Sequence, residues 1–199
     1  MILSVGRFFG TEGGHSKRQL EMVQAFRQMC DAGLEGWRLV LIGGSSSVER
    51  EYAMSVRAAA DGLPIEIRFS APGDVLDDHF RRASIYWHAA GLGSDLDRNP
   101  DQAEHFGIAP VEAMSAGAVP VVFDAAGPAA VVTDGVDGLK YRALDGLVAH
   151  TRRLIDDPAH RQQLAANAIT RSADFDQAHF EAHVQRFVAD VMSRPPRRG

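Results

Sequence analysis

Two groups of residues have the types and spacing to do chemistry. The first is the run GRFFGTEGGHSK, from Gly6 to Lys17. Its glycines let main chain approach a bulky anion, and Arg7 and Lys17 would add full positive charges. A helix starting just after Lys17 would contribute free amides and a partial positive charge. The run fits neither the G-x-G-x-x-G dinucleotide fingerprint nor a P-loop, which counts against a redox Rossmann enzyme and a P-loop kinase. The plain alternative is a flexible loop carrying solvated basic residues.

The second group lies in AEHFGIAPVEAMSAGAVPVV, where seven residues separate Glu104 from Glu112. The pattern predicts a helix over 106–116, so Glu104 precedes it, Glu112 lies within it, and the amides of His105 to Ile108 face outward at its start. Carboxylates repel a diphosphate but can accept two hydrogen bonds from a vicinal diol. Such a pair suits a ligand with phosphates in the middle and hydroxyl-rich sugars at both ends, the build of a nucleotide sugar. The competing reading makes Glu104 a helix-start charge and Glu112 a surface residue.

Elements that could position these groups follow from hydrophobic periodicity. Short apolar runs without alternation predict strands at 2–5, 38–42, 65–69, 85–87, 119–123 and 138–141. Helices are predicted over 17–30, 48–60, 75–83 and 106–116, with a helical turn over 127–133. Further helices start near Leu144 and Pro158, and a last one covers about 179–192. The final PPRRG reads as a frayed tail. Strands that each lead into a helix indicate an α/β fold: a Rossmann-like, doubly wound parallel sheet of about six strands with helices on both faces. Ligands of such sheets sit beyond the carboxyl ends of the strands, which is where both groups fall.

Composition narrows the function classes. The chain has 199 residues, 45% of them apolar, with 21 Lys and Arg against 26 Asp and Glu, a net charge of −5. That balance argues against a broad nucleic-acid-binding face. No apolar run reaches the ~18 residues needed to cross a bilayer. The single cysteine, Cys30, suits a reducing, cytoplasmic setting. The opening MILSVG lacks a basic segment and a cleavage site, so it reads as a strand rather than a signal peptide. A chain that opens directly in a buried strand reads as a piece of something larger.

Four pieces, in order, resemble the C-terminal half of a retaining family 4 glycosyltransferase (glycosyl transferases group 1) with the GT-B fold. They are Val5-Gly6-Arg7 with the Lys17-to-Phe26 helix start, LVLIGG (Leu39 to Gly44), EHFGIAPVEAMSAGAVPVV, and AAGPAAVVTDGVDGLKY (Ala125 to Tyr141). The resemblance implies that Arg7 and Lys17 clamp the donor diphosphate and stabilise the departing charge. Glu104 would bind hydroxyls of the transferred sugar, and Glu112 the ribose diol. Phe106, Gly107 and Ile108 would present amides to phosphates or sugar. Gly6 would lie against the donor, and Gly43, Gly44 and Phe69 would border the base. It further implies retaining transfer of a hexose from a nucleotide-diphosphate sugar, with no cofactor and no metal. The donor domain would span 1–178, followed by a C-terminal helix and tail over 179–199. The N-terminal acceptor domain is not represented, and the closing helices from Leu144 onward would pack back across it. The chain alone would then bind nucleotide without transferring sugar. Membrane contact of the full-length enzyme stays open.

Other residues invite notice. His88 and His105 could reach the donor or merely pack. Asp95, Asp97, Arg98 and Asp101 read as a solvated lid rather than a catalytic set. Two alternatives stay open: another GT-B enzyme of nucleotide sugars, epimerase-like, or a non-catalytic nucleotide- or sugar-binding module. A phosphorylase would need a cofactor-anchoring lysine, and neither Lys17 nor Lys140 has a fitting context.

Overall fold

Runs of apolar residues with no polar alternation need cover on both sides, and the fold supplies it. The computed structural model describes residues 1–10, 16–47 and 49–193. Strands β1 (Ile2–Val5), β2 (Leu39–Ile42), β3 (Ile65–Arg68), β4 (Ile85–His88), β5 (Val119–Phe123) and β6 (Leu139–Tyr141) form one sheet, ordered β3-β2-β1-β4-β5-β6. Every pairing is parallel. This is the Rossmann-like architecture expected from the sequence.

The helices are α1 (Gln19–Asp31), α2 (Arg50–Ala59), α3 (Gly73–Arg82), α4 (Ile108–Ser115), α5 (Ala126–Val131), α6 (Leu144–Asp156), α7 (Pro158–Ser172) and α8 (Gln177–Ser193). Alternate strand residues feed two cores. On one face Ile2, Leu39, Leu41, Ile85, Trp87 and Val121 pack with Met22, Phe26 and Met29 of α1, Val56 of α2 and Leu147 and Leu154 of α6. On the other, Leu3, Val40, Ile42 and Tyr86 meet Phe80 of α3 and Ala113 of α4. Inside the first core, the indole of Trp87 donates to Thr151 Oγ1 at 2.9 Å, and that hydroxyl donates to the Leu147 carbonyl, so buried polar atoms are paired.

β1 leads into α1 on one face and β4 into α4 on the other, so the strand order reverses between β1 and β4. There the ladder is short. β1 and β2 pair over four residues, but β1 and β4 pair only at Ile2–Ile85 and Leu3–Tyr86. The Tyr86 hydroxyl bridges the gap, donating to the Val5 carbonyl at 3.2 Å and accepting from the Val5 amide at 3.4 Å.

Several boundaries differ from the sequence expectation. α1 begins at Gln19 rather than Lys17, because Arg18 takes a left-handed conformation (φ 59°) ahead of it. α4 begins at Ile108, two residues late, behind a left-handed Gly107 (φ 87°). β4 runs one residue further and includes His88. Positions 11–15 of the first loop, Val48 and the tail from 194 lie outside the described residues. α6 and α7 bury Leu147, Leu154 and Leu164 in the core of this domain. Only α8 has no buried residue, and it exposes Phe180, Phe187 and Met192.

The loops after β1 and β2 touch at glycine. Gly6 donates to the Ile42 carbonyl at 2.8 Å, and Phe8 to the Gly44 carbonyl at 2.8 Å. A Cβ on Gly43 would run into the Gly6 carbonyl, whereas one on Gly44 would meet nothing. Gly43→Ala should therefore cost ~1–3 kcal/mol of unfolding free energy, as backbone overpacking does. Gly44→Ala should stay within about 0.5 kcal/mol of wild type. Urea denaturation of both variants checks the contrast; equal effects would contradict it.

Candidate functional site

At the sheet's switch point, above Val5 and His88, a cleft of about 470 Å³ opens. Eight of the residues singled out from sequence line it: Gly6, Arg7, Lys17, Glu104, Phe106, Gly107, Ile108 and Glu112. His88 and His105 line it as well. Three do not. Gly43 and Gly44 sit on the neighbouring loop, where Gly43 closes against Gly6. Phe69 is half-buried with its ring edge-on to Phe8, centroids 5.2 Å apart. The charged residues Asp95, Asp97, Arg98 and Asp101 are exposed and line no part of the cleft.

The first loop is held by side chains that the sequence pattern did not mark. Gln19, buried at the start of α1, donates to the carbonyls of Gly6 (3.3 Å) and Arg7 (3.0 Å), and the Tyr52 hydroxyl donates to Gln19 Oε1 (3.2 Å). Ser16 Oγ donates to the Phe9 carbonyl and accepts from the Arg18 amide, clipping together the two limbs of the loop. Arg7 projects into solvent with its guanidinium over the Phe9 ring, 5.1 Å from the centroid. The stem of Lys17 crosses Gly6 so closely that a Cβ there would lie 2.8 Å from Lys17 Cγ. Gly6 is thus required for the lysine's path rather than for loop flexibility.

The acidic side is built from the segment ahead of α4. The Gly127 amide donates to the Glu104 carbonyl at 3.0 Å, and a Cβ on Gly127 would overlap main chain at His105 and Phe106. That contact fixes the backbone from which Glu104 points at Lys17. α4 has no side-chain N-cap, so its first-turn amides open toward the cleft, though Pro110 contributes none. Phe106 and Ile108 are exposed at the rim.

Lys17 Nζ and Glu104 Oε2 form a half-buried ion pair across the cleft. His88 Nε2 stands 3.9 Å from the same oxygen. The His88 imidazole and the Lys17 ammonium hold the Glu104 carboxyl down at about 2, against burial, which pushes it up. Glu112 goes the opposite way: burial, then the nearby Asp77 charge, raise its carboxyl. Burial lowers His88.

The site therefore sets two cations and a helix start against two carboxylates at the switch point of a parallel sheet. Chemically, this grips an anion at its centre and hydroxyls on its flanks. A parallel, doubly wound α/β sheet with its cleft at the switch point is the general build of a nucleotide-binding domain.

Known proteins agree. The profile of the family "Glycosyl transferases group 1" matches residues 1–171, and the chain belongs to that family. A D-inositol 3-phosphate glycosyltransferase of Frankia alni is 30% identical over 141 residues, 69% of this chain and 32% of that protein. Anabaena Alr3699/HepE, solved in complex with UDP, superposes with a TM-score of 0.74 at 20% identity, over 94% of this chain and 48% of its own. The C-terminal domain of the group 1 protein LpcC from Francisella tularensis superposes with a TM-score of 0.65 at 20% identity, over 86% of this chain and 84% of that domain. The chain thus spans about a third of the first relative and about half of the second. No helix among the described residues is long and apolar enough to cross a membrane.

The depressed Glu104 pKa makes a pH prediction. A carboxyl at about 2 in the fold, against an ordinary 4.5, stabilises the fold fully above pH 4.5. That contribution is lost as pH falls toward about 2. The stability gap between wild type and Glu104→Gln should be constant above about pH 5 and close on acidification. Denaturant midpoints across that range measure it; a gap unchanged down to pH 2.5 would assign the shift elsewhere.

Proposed function

We propose that this chain is the donor-binding domain of a retaining hexosyltransferase that uses a nucleotide-diphosphate sugar. The supporting observation is convergence: Arg7, Lys17, Glu104, Glu112 and the start of α4 share one cleft, although up to 105 positions separate them in sequence. In this reading Arg7 and Lys17 bind the diphosphate, helped by the first amides of α4. They also stabilise the negative charge that develops as the sugar departs. Glu112, on the second turn of α4, accepts both hydroxyls of the ribose. Glu104 accepts hydroxyls of the transferred hexose.

With anomeric configuration retained, the departing phosphate oxygen takes the acceptor's proton, and no protein nucleophile is needed. The cation role falls to side chains and amides rather than to a metal. Gly43, Gly44 and Phe69 remain proposed neighbours of the base, on loops one and two strands away from the cleft. The acceptor would bind outside these 199 residues, in an N-terminal domain, so the chain alone binds nucleotide and transfers nothing.

Calorimetry with the diphosphates of uridine, guanosine, adenosine and thymidine tests this. One of them should bind with millimolar or better affinity and raise the melting temperature. Glu112→Ala should weaken that binding by ~1–3 kcal/mol, the loss of one charged acceptor. Glu104→Ala should instead narrow the difference between nucleotide and sugar nucleotide. Absence of heat and of thermal shift with all four nucleotides would remove the donor-site reading.

A further inference from the structure

His88 is the last residue of β4 and is only 5% exposed. Its main chain is fixed, since the Tyr141 hydroxyl donates to its carbonyl at 2.9 Å. Yet among the described residues neither of its ring nitrogens has a hydrogen-bond partner. Buried polar side chains are nearly always satisfied, so this imidazole is held in a geometry that serves something other than the ligand-free fold. Its ring lines the cleft, with Nε2 3.9 Å from Glu104 Oε2. That is about 1 Å beyond an ordinary N–H···O bond. The oxygen is already taken by Lys17.

We propose that His88 is a positioning residue that takes over Glu104 when Lys17 turns to an anion. This rests on the donor-site reading for the identity of the anion, a nucleoside diphosphate. Lys17 neutralises Glu104 in the empty cleft. An arriving diphosphate draws the ammonium toward itself and leaves a half-buried carboxylate facing like charge, which is costly unless another donor replaces the lysine. His88 Nε2 is the donor in place. A shift of the Glu104 carboxylate of about 1 Å brings Oε2 within reach of Nε2–H. The exchange needs only the neutral ring, with its proton on Nε2. The carboxylate is then steered to one orientation and its second oxygen left for a sugar hydroxyl.

The groups around the ring are Lys17 from the first loop, Glu104 from the segment ahead of α4, Tyr86 on its own strand and Tyr141 on β6. Of these, Lys17 is the group that leaves, the Tyr86 hydroxyl is committed to Val5, and the Tyr141 hydroxyl to the His88 carbonyl.

The test uses the 199-residue chain with ¹⁵N-histidine. In ligand-free Lys17→Met, folding confirmed by its melt, the His88 Nε2–H proton should move downfield and exchange slowly with solvent. UDP should cause the same change in wild type and none in Glu104→Gln. His88→Ala should weaken UDP about tenfold, one bond's worth, and His88→Gln, which keeps a donor near the Nε2 position, should recover most of it. A packing role predicts equal loss in both His88 variants and unchanged His88 signals in Lys17→Met; either result overturns the proposal. If UDP moves no amide between Gly6 and Lys17, the donor-site reading fails on its own, and the ligand-free Lys17→Met spectrum still decides the role of His88.

Discussion

The site exists because two neighbouring parallel strands send their chains to opposite faces of one sheet. After Val5 the chain turns toward α1; after His88 it turns toward α4. Strands so directed cannot stay paired to their ends, and β1 and β4 part after two residue pairs. Main-chain groups freed by that parting would be buried and unpaired, at a cost of ~1–3 kcal/mol each. The Tyr86 hydroxyl meets the cost by donating to and accepting from Val5. Burial also raises the Tyr86 phenol far above its ordinary range, so it stays a neutral bridge at any pH the fold survives. The crevice is thus a consequence of topology, and its floor is a neutral, satisfied strut rather than a charge.

Charge placement follows from the same geometry. The segment after β1 carries Arg7 and Lys17, and the segment between β4 and α4 carries Glu104. The ends of neighbouring strands are about 5 Å apart, so opposite charges on the two loops are brought together whether or not a ligand is present. Lys17 and Glu104 accordingly pair across the gap. Arg7 faces solvent with its guanidinium over Phe9.

The sheet was legible because its strands need no partner to be recognised: VPVVF or LVLI without alternation is already a two-sided buried run. The Glu-x7-Glu spacing was legible because both carboxylates are local to one helix start. What resisted reading depended on distant contacts. Gln19, Tyr52 and Tyr86 look like ordinary helix and strand residues; their roles arise from hydrogen-bond partners 12, 33 and 81 positions away. Helix starts slipped by two residues where the left-handed cap fell on Arg18, a residue type that seldom adopts it. Gly107 was a better signal, and only its neighbour's apolar character masked it.

Glu104 and Glu112 show how environment divides one residue type into two roles. They begin with the same intrinsic acidity, and eight positions separate them. Glu104 faces an ammonium and an imidazole and is held strongly ionised. Glu112 lies on the α4 surface toward α3, with burial and Asp77 both disfavouring its charge. A carboxylate with committed partners is rigid and suits orienting a reacting group. One without them is destabilised as an anion until donors arrive, so hydroxyl donors gain more by reaching it. The same asymmetry separates the two side chains in the ligand-free fold: Glu104 Oε2 is held by Lys17, whereas Glu112 meets burial and the Asp77 charge.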